Sequence, residues 1–296
     1  IMKFTYDVIV CTYNGRDYII EQLDSILNQK YSPLSIIISD DGSEDETISI
    51  VSEYIEEHHD VDFVIVEGPG TGPSNNFISA LKYVSSPYVF LADQDDVWYS
   101  NKVERYFDFV SKYEKNCPQL FFSNAKIVDE NLNSLGGSHM GFLSCTPSQL
   151  VNNEVLFFNY IQGATICVNF QFISSFCELM YKYSLDDVVI YDWWFGILAN
   201  YFGEIHYIDE ELVLYRQHTN NIVGINKRKG LFKKVYQAFR TVRQIQRIRV
   251  ILKSECNDSG FLKLYSLSSI RHVGILRYSS IFMLDIVLSI RNYFFK

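Results

Sequence analysis

The chain predicts an α/β fold in which a mostly parallel central sheet is flanked by helices. Over the first hundred residues, short apolar runs alternate with amphipathic stretches, the pattern of parallel strands joined by crossover helices. Each apolar run ends in a polar cluster, as strands do at the ligand-binding edge of an open parallel sheet. Size agrees: 296 residues, 48% hydrophobic and 21% charged, can bury a sizeable core. That composition excludes disorder, collagen and a small disulfide scaffold.

The strand candidates are Tyr6 to Cys11, Leu34 to Ser39, Asp62 to Val66 and Tyr88 to Leu91. Between the first two, Ile19, Leu23, Ile26 and Leu27 fall at helical spacing and line one face. A second helix is expected to open at Ser43, where Ser43 and Glu46 form a capping-box pattern. A third should run from about Pro73 to Val84 and a fourth from Ser100 to about Tyr113. Beyond Cys117 the periodicity weakens. Strand-like runs remain at Leu120 to Ser123 and Ile161 to Val168, with helical stretches near 170–184 and 190–201. Leu135 to Asn153, rich in Gly, Ser and Thr, reads as a long loop.

Charge divides the chain more sharply than its net of −9 suggests. Residues 227–296 carry fifteen Lys and Arg against three acids, a balance of +12. The other 226 residues hold eleven basic and 32 acidic side chains, or −21. The expected organisation is a domain over 1–226, with halves of about 1–115 and 116–226, followed by a basic helical extension over 227–296. In that extension Leu231, Val235, Ala238, Val242, Ile245 and Ile248 share a helical face, and Lys233, Lys234, Arg240, Arg243 and Arg247 surround it. Such a helix suits an anionic membrane surface. Arg277 and Asp285 interrupt the apolar stretch from Ile275 to Ile290, which argues against a spanning helix. The six cysteines form no C-x-x-C pair, and no leader-like segment precedes the first strand. The expectation is a cytoplasmic protein, peripheral on the inner face of the cell membrane.

Asp93-Gln94-Asp95-Asp96, directly after Tyr88-Val89-Phe90-Leu91, is the strongest chemical feature. A turn at a strand end lets Asp93 and Asp95 reach one hard cation, and three carboxylates in four residues repel one another unless a positive charge sits among them. Mg2+ or Mn2+, completed by substrate phosphates, fits that need; a solvated acidic turn ahead of a helix is the simpler alternative. Asp40-Asp41-Gly42-Ser43 reads either as a turn with a helix cap or as a strand end that accepts from a base or ribose. Thr12-Tyr13-Asn14-Gly15 reads as a turn, or as an aromatic face with close backbone that seats a nucleobase.

Taken together, Val8 to Asn14, Ile38 to Thr47 and Phe90 to Trp98 resemble the family 2 inverting glycosyltransferases with the GT-A fold, a Rossmann-like architecture. Tyr191-Asp192-Trp193-Trp194 and Tyr215 to Asn221 resemble the bacterial rhamnosyltransferase-like branch that builds surface polysaccharide. The likeness spans roughly residues 4–224. It implies that Tyr13 and Asp41, with Thr12, Asn14 and Asp40 beside them, contact the base of a nucleotide sugar. Asp93 approaches the ribose and, with Asp95, the metal-bound diphosphate; Asp96 supports them. Asn76, in Gly72-Pro73-Ser74-Asn75-Asn76-Phe77, lines the diphosphate side. Asp192 corresponds to the catalytic base. Trp193 and Trp194 either stack on an acceptor or bury apolar area, and Arg216 and His218 either approach the diphosphate or are structural. The residue before the base is often His in that branch and is Tyr191 here.

The implied reaction moves rhamnose or a hexose from dTDP-rhamnose or a UDP-hexose to a lipid-linked or polysaccharide acceptor. A catalytically inactive Mg-binding or nucleotide-binding module of signalling type is the alternative. A phospho-receiver would be half as long, with its acid pair after the first strand. Nucleic acid is not an expected partner, because a −21 body opposes it and no recognition motif accompanies the basic extension.

Overall fold

The computed structural model describes residues 4–113, 116–143, 159–183 and 190–218, with Val155, Ile251, Ser254 and Glu255. The chain separates into two compact units, Ile1–Cys145 with Tyr160–Ile225 and Thr146–Asn159 with Asn226–Lys296. Apart from Ile251, Ser254 and Glu255, the basic extension lies outside the described residues, and so does its expected membrane-facing helix. The elements below belong to the first unit.

In order they are β1 (Tyr6–Thr12), α1 (Ile19–Leu27), β2 (Ser35–Asp40), α2 (Thr47–Glu57), β3 (Asp62–Glu67), α3 (Pro73–Ala80), β4 (Tyr88–Asp93), β5 (Val97–Trp98) and α4 (Lys102–Val110). There follow β6 (Gln119–Val128), β7 (Ser134–Ser138), α5 (His139–Phe142), a 3-10 turn (Gly163–Thr165), β8 (Cys167–Asn169), α6 (Phe170–Tyr183), α7 (Tyr191–Phe202) and β9 (Glu204–Arg216).

One sheet runs in the order β3-β2-β1-β4-β8-β6-β9-β5, with β7 on β6. Its first four strands are parallel. β8 enters antiparallel between β4 and β6, and β5 runs antiparallel to β9, so the sheet is mixed beyond β4. β1 is buried along its whole length, as expected of a parallel strand covered on both faces. Val8, Ile9 and Val10 are inaccessible, and each contributes roughly 1.5–3 kcal/mol by its removal from water. Asp7 is equally buried, and its carboxylate accepts from the backbone N–H groups of Ser85 and Ser86 at 2.7 and 2.8 Å, which fixes the entry to β4.

Several sequence expectations need correction. The helix expected at Ser43 begins at Thr47, because Ser43 gives its hydroxyl and N–H to Asp40 while Asp45 accepts from the Thr47 N–H. The run Ile161 to Val168 contains only the three-residue β8, preceded by the 3-10 turn. Leu135 to Asn153 opens with β7 and α5; 144–153 lie outside the described residues. β9 spans 13 residues and had no sequence counterpart.

Candidate active site

The parallel register places Thr12 beside Asp40 and Cys11 beside Asp93, so the three polar clusters share one sheet end. Asp40, nearly buried, accepts from the Thr12 hydroxyl at 2.7 Å and from the Ser43 N–H and hydroxyl at 2.7 and 2.6 Å. Asp41 spans the next loop, with one carboxylate oxygen on the Gly70 N–H and the other on the Gly72 N–H, both at 2.7 Å. Gly72 sits at φ 100°, a backbone open to glycine, and so presents that N–H ahead of α3. Asn76 is 1% exposed, and its amide is taken up by Ser39: Oδ1 accepts from the hydroxyl and Nδ2 donates to the carbonyl. It ties α3 to β2.

Tyr13 remains 52% exposed, the open aromatic surface at this end. Its backbone is clipped by Gln94, whose amide accepts from the Tyr13 N–H at 2.8 Å and donates to its carbonyl at 2.9 Å. Asn14 bridges to the second loop, donating its N–H to Ser43 and accepting from the Glu44 N–H. Gln94 was visible in the sequence only as a spacer between acids.

The acidic turn after β4 is organised from the far end of the chain. Pairing of Val97 with Leu214 brings the end of β9 beside the turn. There the Arg216 N–H donates to Asp96 at 3.0 Å and its Nε to the Asp95 carbonyl at 2.7 Å. Its other nitrogens reach the Glu130 carbonyl and the Glu21 carboxylate. Arg216 is 2% exposed and braces the turn. His218 Nε2 lies 2.7 Å from Asp95 Oδ2, and its ring stacks on Tyr18 at 4.9 Å. Arg216 also lies over the Tyr18 ring, 4.7 Å from its centroid. Tyr18 and Glu21 carry no signal in sequence beyond their place at the start of α1.

Asp93 and Asp192 belong to one electrostatic neighbourhood. Burial first, then Asp95 and Asp192, push the Asp93 carboxyl up to about 7. Asp96, buried beside them, is also raised. Lys102, a buried cation that opposes this shift, lies 3.7 Å from the Trp98 ring centroid and donates to the Ala164 carbonyl at 3.0 Å. Burial lowers its own affinity for a proton, while Cys167, Asp96 and Asp93 oppose that shift. Asp192 stands in the first turn of α7, where its carboxylate accepts from the Trp193 N–H at 2.6 Å. Trp193 and Trp194 are 5% and 1% exposed and bury their rings in the protein.

Among the described residues no three His, Cys, Asp or Glu side chains form a ready-made ion cage. Asp93 and Asp95 nonetheless offer the carboxylate oxygens that Mg2+ or Mn2+ would take, with His218 beside Asp95. Such ions take one or two protein ligands and complete their shell with phosphate and water.

Comparison with known proteins identifies the family and the fold. Residues 7–189 match the family model described as glycosyl transferase family 2. The dTDP-rhamnosyl transferase RfbG of Shigella flexneri is 30% identical over 224 residues, covering 73% of this chain and 74% of that protein. The S. aureus TarS 1–349 structure in complex with UDP-GlcNAc superposes with a TM-score of 0.59 at 18% identity, covering 88% of this chain and 70% of that one. The mannosyltransferase PcManGT from Pyrobaculum calidifontis, solved with GDP-Man and Mn2+, gives 0.58 at 15% identity, covering 95% and 75%. The fold is the GT-A type, and the chain belongs to glycosyl transferase family 2.

Proposed function

We propose that this glycosyltransferase is inverting and metal-dependent, and that it moves rhamnose or a hexose from a nucleotide sugar to a lipid-linked or polysaccharide acceptor in surface polysaccharide synthesis. One observation carries the reading: the acids that end β4 and the acid that opens α7 are close enough for Asp192 to raise Asp93. Leaving group and attacking hydroxyl can therefore be served within one site.

Tyr13 offers its exposed ring to the base, backed by Thr12, Asn14, Asp40 and Asp41, which hold the loops in shape. Asp93 and Asp95 would hold the divalent cation, with His218 beside Asp95. When bound, that cation supplies positive charge against the departing diphosphate. Asp192 takes the proton of the acceptor hydroxyl as the acceptor oxygen forms its bond to the anomeric carbon. The bond from that carbon to the diphosphate oxygen breaks, and its electron pair leaves with the nucleoside diphosphate. Attack from the face opposite the leaving group inverts the centre.

dTDP-rhamnose is the leading donor, supported by the Shigella relative. No helix among the described residues is long and apolar enough to cross a membrane. The cationic extension supports peripheral attachment to an anionic membrane, at about 1 kcal/mol per Lys or Arg near the surface.

Calorimetric titration of the full chain with dTDP-rhamnose, UDP-glucose, UDP-galactose and GDP-mannose, with and without Mn2+, tests the reading. Binding of one nucleotide class that strengthens with Mn2+ is expected. A folded chain that binds none is an inactive relative.

A further inference from the structure

Tyr191, the residue before the proposed base, is held on three sides. Its ring lies 4.4 Å from that of Phe77 in α3 and meets Phe195 edge-on at 5.7 Å. Its N–H donates to the Ser74 hydroxyl at 3.2 Å, also in α3. Its phenol end is pressed against the backbone of Gly163: a methyl group there would lie 1.8 Å from the hydroxyl oxygen and 2.5 Å from Cζ. No side chain larger than hydrogen fits at 163 while the phenol keeps this place.

The seat itself is rigid. Lys102 donates to the Ala164 carbonyl at 3.0 Å, and the Tyr106 hydroxyl donates to the Thr165 carbonyl. Thr165 returns its N–H and hydroxyl to the Gln162 carbonyl at 3.0 and 2.7 Å. The Leu91 N–H, two residues before Asp93, donates to the Ile166 carbonyl at 3.0 Å. The turn under Tyr191 is thus fastened to β4, which carries the acidic turn, and to α4, which follows it.

We propose that Tyr191 is a positioning residue for Asp192, and that Gly163 and Tyr191 form a size-matched pair that sets where α7 begins. The phenol, resting on Gly163 and Phe77, fixes the first turn of the helix. The Asp192 carboxylate, one residue on, is thereby held at a set distance from the acidic turn. The inference rests on Asp192 being the base. Displacement of a reacting group by about 1 Å costs on the order of 100-fold in rate.

The test uses the full chain with Mn2+ and follows nucleoside diphosphate release from whichever of dTDP-rhamnose or UDP-glucose it consumes, with water as acceptor. Gly163→Ala is expected to lower kcat about 100-fold while donor KM stays within about twofold. An imidazole stops short of the phenol's Cζ, so Gly163→Ala/Tyr191→His should recover at least about tenfold of that loss. Where Gly163→Ala does not fold, Tyr191→Ala and Tyr191→Phe decide: the first should lose kcat with donor binding retained, and the second should keep kcat within about threefold. Full kcat in Gly163→Ala or Tyr191→Ala overturns the proposal, as does a folded double variant no faster than Gly163→Ala. Asp192→Asn in the same assay separates the two readings. If it is active, the base assignment falls; if it is inactive beside a fully active Tyr191→Ala, only the positioning role falls. A chain that consumes neither donor overturns both.

Discussion

The two halves of the first unit build their shares of the site differently. Between β1 and β4 each polar cluster ends its own strand, and the loops there are braced from within the first hundred residues: Asp40 by Ser43 and Thr12, Asp41 by Gly70 and Gly72, and Tyr13 by Gln94. Between β6 and β9 the contributions arrive from afar. Arg216 meets Asp96 across 120 residues of chain, His218 meets Asp95 across 123, and Tyr191 meets Ser74 across 117. The first half therefore supplies a shape that parallel strands impose locally, and the second supplies the bracing and the proposed base. Donor binding should depend on both halves, and turnover most sharply on the second.

The largest expected effect isolates that division. Asp192→Asn keeps the shape of the side chain and removes its capacity to accept a proton. It should lower kcat by about 100- to 10,000-fold, the range of general base catalysis, with donor and Mn2+ affinity nearly intact by calorimetry. Loss of donor affinity in that variant would place Asp192 on the donor side and erase the contrast between the halves.

The next effect crosses the divide. Arg216→Met removes the buried guanidinium that braces the acidic turn and leaves the Asp95 and Glu130 carbonyls without it. Unpaired buried polar groups cost about 1–3 kcal/mol each, so chemical denaturation should show a loss of about 3 kcal/mol. Mn2+-dependent donor binding should weaken about tenfold or more, the response expected when the metal-facing turn loosens. Unchanged Mn2+ dependence would mean that the turn holds its form without β9.

The same contrast explains what could be read from sequence. The four parallel strands were legible because apolar runs and turn residues are local signals, and the polar clusters marked the carboxyl ends at which Asp40 and Asp93 now stand. Asp192 was reached only by resemblance, since nothing local ties α7 to the acidic turn. β9 was missed because Asp209, Glu210 and Glu211 split its apolar residues into two short runs, and its pairing with β5 and β6 is tertiary. For Asn76 and Arg216 the sequence could not show the partners, because a polar side chain near a site reads as a ligand contact until its neighbours are known; the structure adds Ser39 and the acidic turn. Gly163 carried no motif at all. Only the phenol packed against it gives that glycine its reason.

The smallest effect concerns the ionisation that joins the halves. In the metal-free protein the Asp93 carboxyl is pushed up to about 7, by burial first and then by Asp95 and Asp192, with Lys102 opposing. Its folded value lies above its unfolded one, so the stability contributed by the protonated form is fully present below about pH 4 and is lost as pH rises through about 7. The thermal midpoint of the metal-free chain should therefore fall by a few degrees, roughly 2–4 °C per kcal/mol, between pH 5 and pH 8. Asp93→Asn, which has no proton to lose, should flatten that fall. Mn2+, which needs the ionised carboxylate, should raise the midpoint more at pH 8 than at pH 5. An equal fall in Asp93→Asn would move the titration to another group. A fall that disappears in Asp192→Asn as well would show that the acid from the second half, and not burial alone, sets the charge state of the first.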